Sequence, residues 1–188
     1  GSEAKTEVVT DGVVVETHAG NPLDFVADYQ KRFKVALRQG LPRFCGGLAG
    51  YFGYDTVRHI EKKLVNSCPP DDLGMPDILL LQTEELAVID NLSGKLSLIV
   101  YADPAQPDAY AKAHARLAEL KLRLKEPAQA PSIAPCASHP AERRFAKDDY
   151  LAAVLRAKDL IAAGDFMQVQ VGQRIHKKFT ASPLSLYR

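Results

Sequence analysis

The chain has 188 residues, of which 46% are hydrophobic and 25% charged, the length of one to two domains and the composition of an ordinary globular protein rather than a disordered one. With 24 basic against 23 acidic residues the net charge is +1, which leaves no basic surplus to point to nucleic acid. No apolar run approaches the ~20 residues of a membrane span. The start Gly1-Ser2-Glu3 has no signal-peptide hydrophobic stretch, so no membrane partner is expected and the expected address is cytoplasmic.

Cys45, Cys68 and Cys136 have no Cys-x-x-Cys spacing, so they suggest neither a disulfide framework nor a zinc site. His18, His59, His114, His139 and His176 are scattered, and none forms a His-Glu-x-x-His pair on one helical face. Both ends read as cut. Gly1-Ser2 stands where an initiator methionine would, and Ser182-Pro183 opens a helix that Arg188 ends after little more than a turn. A fragment of a longer protein is the expectation.

In chain order, Val8-Val9-Thr10 and Val13-Val14-Val15 flank Asp11-Gly12, the residue pair that a tight primed hairpin turn tolerates at positive φ. Asn21-Pro22 supplies a helix cap and a first-turn proline, and Phe25, Tyr29 and Phe33 follow as an aromatic stripe for the core. Pro42 to Tyr54 alternates glycines with apolar and aromatic residues, a packed strand rather than a phosphate loop, because no Gly-Lys-Ser/Thr opens a helix. Asp55 is placed to cap a helix with Val57, Ile60 and Leu64 on one face, ended by Pro69-Pro70.

Ile78 to Leu81, Leu86 to Ile89 and Leu96 to Tyr101 read as an antiparallel meander, the last two joined through Asp90 to Lys95. Tyr110, Ala113, Leu117, Leu120 and Leu124 predict a long amphipathic helix. Glu126 to Pro140 carries four prolines and is the expected linker. Beyond it, Asp149 to Ala163 fits a helix with Tyr150, Val154 and Ile161 inward, ended by Gly164. From Phe166 to Ile175 the alternation predicts a strand, with Met167, Val169, Val171 and Ile175 mostly on one side and Gln168, Gln170 and Arg174 on the other.

That polar face is the one constellation with chemical promise. Two amides and a guanidinium without a carboxylate suit an anionic ligand, since Arg pairs bidentately with carboxylates, although a solvated sheet face has the same pattern. No nucleophile with its base, carboxylate dyad or metal cage is apparent.

Read together, three stretches resemble the first component of anthranilate synthase, in the family of chorismate-utilising enzymes. They are the glycine-aromatic run Leu41 to Asp55 with Val57-Arg58-His59-Ile60-Glu61, then Leu73 to Leu81 with Asp90-Asn91, and Ala163 to Arg174. The resemblance implies an α+β fold of antiparallel sheets packed face to face with outer helices. It divides the chain into the later part of an N-terminal regulatory domain (1–126), a Pro-rich linker (127–142) and the opening of a chorismate-binding catalytic domain (143–188). It also implies conversion of chorismate to anthranilate and pyruvate in tryptophan biosynthesis, with ammonia from a glutamine amidotransferase partner, Mg2+ as cofactor and L-tryptophan as feedback inhibitor.

By the same resemblance the magnesium ligands and most chorismate-binding groups lie outside this chain, so these 188 residues alone are expected to be inactive. Gln168 matches the position where isochorismate-forming relatives carry a water-activating lysine, and so is the expected catalytic residue; Arg174 is the expected substrate-binding one. Gln170 and Gly172 depart from the commoner Val and Ser or Thr. The alternatives are a fragment of aminodeoxychorismate synthase component I, of the folate pathway, and a non-catalytic binding module.

Overall fold

The computed structural model describes residues 4–128 and 139–188, so most of the expected linker, Glu126 to Pro140, lies outside the described residues. The chain divides into two compact units, Gly1–Glu126 and Pro127–Arg188. Among the described residues every strand pair is antiparallel, in four two-stranded sheets accompanied by four α-helices, which makes the class α+β.

The first unit opens with strands β1 (Lys5–Thr10) and β2 (Val13–Ala19), paired from Lys5↔Ala19 to Thr10↔Val13. Asp11 at φ 50° and Gly12 at φ 80° make the turn, both in the left-handed region that the primed hairpin requires. A register shift between Val8 and Val9 accommodates one extra residue on β2. Helix α1 (Pro22–Lys31) begins as its sequence dictates, with Asn21 Oδ1 accepting from the Leu23 N–H at 3.0 Å and proline in the first turn.

The aromatic stripe forms a continuous stack, with ring centroids 5.7 Å apart for Phe25 and Tyr29 and 5.3 Å for Tyr29 and Phe33. Its burial is uneven. Phe25 is 8% exposed and is buried together with Pro22, whereas Phe33 is 47% exposed and not part of a core. Arg32 covers the stack, its guanidinium 4.9 Å from the Tyr29 ring centre and bonded through both terminal nitrogens to Glu16 at 2.6 and 2.8 Å.

The glycine-rich run is strand β3 (Gly47–Phe52), and its partner corrects the expected meander: Ile78–Thr83 (β4) pairs with β3 rather than with the next strand. Gly50 makes this pairing possible, because a Cβ there would lie 1.9 Å from the Leu79 carbonyl oxygen. Strands β5 (Glu85–Asp90) and β6 (Lys95–Val100) form their own hairpin. Asp90 organises its turn, accepting from the Leu92 and Ser93 N–H groups at 3.0 and 3.2 Å, with Gly94 at φ 65°.

Between β3 and β4 the expected helix is instead two 3-10 turns, Tyr54–His59 and Lys62–Leu64, and Gly53 rather than Asp55 precedes the first. Asp55 lies inside the first turn instead of ahead of it, and its Oδ1 accepts from Arg58 Nε at 2.6 Å. Arg58 Nη1 then reaches the Leu64 carbonyl at 2.5 Å and Ser67 Oγ at 3.0 Å, holding the segment tight, and Ile60 is left 65% exposed. Helix α2 (Ala109–Arg123) packs on β6 through half-buried Ala113, Leu117 and Leu120. Tyr110, expected inward, is 81% exposed, and Leu124 lies at the C-cap, 52% exposed.

In the second unit β7 (Ala141–Arg143) pairs with β8 (Ile175–Lys177), and helix α3 runs from Lys147 to Ala163. Its less exposed side carries Tyr150, Val154 and Leu160, while Ile161, expected inward, is 40% exposed. Helix α4 (Pro183–Tyr187) starts on proline, but the Ser182 hydroxyl makes no capping bond.

Candidate functional site

The segment that carries Gln168 and Arg174 is set by how α3 ends. Gly164, at φ 85°, donates its N–H to the Ile161 carbonyl, and the Asp165 N–H reaches back to Leu160, both at 3.1 Å. This is the paired-bond termination that glycine permits, and it turns the chain sharply away from the helix axis. The next residues run without regular strand pairing until Ile175. Two contacts tether them: Tyr150, braced edge-on by Phe145 at 5.7 Å, donates its hydroxyl to the Val171 carbonyl at 3.1 Å, and the Arg144 N–H donates to the Arg174 carbonyl at 3.0 Å.

The strand expected over Phe166 to Ile175 is therefore corrected to Ile175–Lys177 alone, and its two-sided face with it. Phe166 and Val171 are half-buried, while Met167, on the side expected to be apolar, is 96% exposed. Gln168 and Gln170 are exposed in an irregular stretch, and Arg174 is exposed one residue before β8. The physical reason is that alternation selects a face only when a neighbouring strand fixes the pleat, and residues 166–174 have no such ladder. Gln168 thus offers an amide that can donate and accept hydrogen bonds, between the helix terminus and the Val171 tether.

A second arrangement, in the first unit, was not foreseen. Gln82, Thr83, Glu84 and Glu85 are consecutive, and each bonds to a different part of the fold. Gln82 Oε1 accepts from the Tyr29 hydroxyl of α1 at 2.7 Å; Thr83 Oγ1 donates to the Gly47 carbonyl of β3 at 2.8 Å; the Glu84 carbonyl accepts from the Tyr101 N–H at 3.0 Å. Glu85 accepts from Arg116 Nε and Nη2 of α2 at 2.8 and 2.9 Å. Hydrogen bonding to Arg116 holds the Glu85 carboxyl below its ordinary pKa. The signal lay in the sequence as a polar quartet between two apolar runs.

Tyr101 continues this arrangement. Its hydroxyl donates to the Cys45 carbonyl at 2.7 Å, and its ring occupies the space a Cβ on Gly46 would need, only 2.4 Å away. Hydrogen bonding to the Cys45 side chain and then burial raise the phenol's pKa above its ordinary value. The start of the glycine-aromatic run is thereby fixed against the end of β6.

Among the described residues no three His, Cys, Asp or Glu side chains gather in a way that could hold a metal ion. No described helix is long and apolar enough to cross a membrane.

Residues 2–188 match the family model described as chorismate binding enzyme. The chain is 46% identical over 185 residues to anthranilate synthase component 1 of Neisseria meningitidis serogroup B, covering 97% of this chain and 38% of that protein. It is 45% identical over 190 residues to anthranilate synthase component 1 of Pseudomonas aeruginosa, covering 98% of this chain and 39% of that one. The chain thus spans less than two-fifths of the length of these curated relatives. In fold it is similar to anthranilate synthase component I from Streptococcus pneumoniae TIGR4, with a TM-score of 0.73 at 24% identity, covering all of this chain and 44% of that one.

Proposed function

This chain belongs to the family of chorismate binding enzymes, and from that membership we propose that it is a portion of an anthranilate synthase component 1, which joins ammonia to chorismate and releases anthranilate, pyruvate and the displaced hydroxyl as water. The observation that carries this reading is 46% identity sustained over 97% of the chain to a relative of that name. Residues 1–126 supply the later part of the regulatory domain, 127–142 a linker and 143–188 the opening of the catalytic domain. The division falls close to the boundary between the two compact units. The 188 residues alone do not turn over.

Within this portion Gln168 is the residue assigned to the incoming nucleophile. An amide side chain is uncharged and cannot act as a general base near neutral pH, so it does not generate hydroxide from a trapped water. Ammonia is already nucleophilic and needs only to be held and oriented. Arg174 is assigned to an anionic group of the substrate, because a guanidinium pairs bidentately with carboxylates. Magnesium, when bound in the whole enzyme, would neutralise developing charge on substrate oxygens; its ligands are assigned to residues outside this chain.

The ammonia source is a glutamine amidotransferase subunit, and L-tryptophan is the feedback inhibitor. The reaction is placed in the cytoplasm, which the free thiols of Cys45 and Cys68 suit. The test is to supply the longer polypeptide carrying this sequence with chorismate, magnesium and ammonium and to follow anthranilate fluorescence. Anthranilate with pyruvate in equal amounts is the expected result. Aminodeoxychorismate in its place, or no amination, overturns the assignment.

A further inference from the structure

We draw no further inference here: the strongest candidate, the exposed apolar face of the β3–β4 sheet formed by Tyr51, Leu79 and Leu81, carries nothing because nothing in the structure shows what covers it.

Discussion

Gln168 tests the proposed chemistry at a single atom set. Replacing its amide by an amine introduces a group that, once desolvated, has its pKa lowered towards neutrality and can accept a proton from water. In the longer enzyme, Gln168→Lys is expected to lower anthranilate formation and to raise the share of water-derived product such as isochorismate. Chromatographic product partition with and without ammonium measures this, and an unchanged partition at full activity would leave Gln168 as a surface residue. Glu85 gives a pH prediction of definite sign. Its carboxyl, titrating below the ordinary value of 4.5 in the folded chain, contributes stability that is present above the unfolded-state pKa and lost as pH falls through the folded one. Glu85→Gln should therefore lower the urea midpoint modestly at pH 7 and flatten its fall on acidification below about pH 4.5. An equally steep acid limb in the variant would show that other carboxylates carry it.

At the scale of the element, terminations were easier to read than interiors. Asn21-Pro22, Asp11-Gly12 and Gly164 each act through their own backbone angles or a bond two to five residues away, so their neighbours in sequence are sufficient to specify them. Gly164 is the sharpest case, since any side chain at φ 85° costs about 1 kcal/mol or more. Gly164→Ala is expected to destabilise the end of α3 by that amount, seen as faster amide exchange at Gly164 and Asp165. Unaltered exchange would mean that the turn is held from elsewhere. Interiors depend on partners. The Val57, Ile60 and Leu64 spacing describes a helix, yet Arg58 binds Asp55, Leu64 and Ser67 at once and winds the segment into tighter turns. A periodic pattern does not report how many acceptors one guanidinium will find.

For the whole molecule, burial is the limiting quantity. Among the described residues the buried apolar side chains are Pro22 and Phe25, while Val9, Val15, Leu79, Leu81, Met167 and Leu186 are among many that remain exposed. Hydrophobic stabilisation scales with apolar area removed from water, so little of it is realised by these residues on their own. The 188-residue chain is therefore expected to bind anilinonaphthalene sulfonate and to unfold in urea with an m value near or below ~1 kcal/mol/M, the low end for small proteins. A steep transition without dye binding would show a better-formed core. In the same preparation, chorismate with magnesium and ammonium should yield no anthranilate fluorescence above blank, and measurable turnover would place a complete active site within these residues.

The sequence by itself determined the features that are local: the β1–β2 turn, the N-terminal cap of α1, the glycine termination of α3, the strands β3, β5 and β6 as apolar segments, and the motifs that carry family membership. Each depends on backbone preference or residue identity within a few positions, where chain connectivity already supplies the geometry. Only the tertiary structure decided that β4 pairs with β3, that the quartet Gln82 to Glu85 ties α1, β3, Tyr101 and α2 together, and that residues 166–174 lie outside any ladder. Those outcomes join residues tens of positions apart. The alternating pattern around Gln168 suits a strand, but a strand exists only when a second backbone satisfies its N–H and C=O groups, and no local pattern specifies which backbone that is.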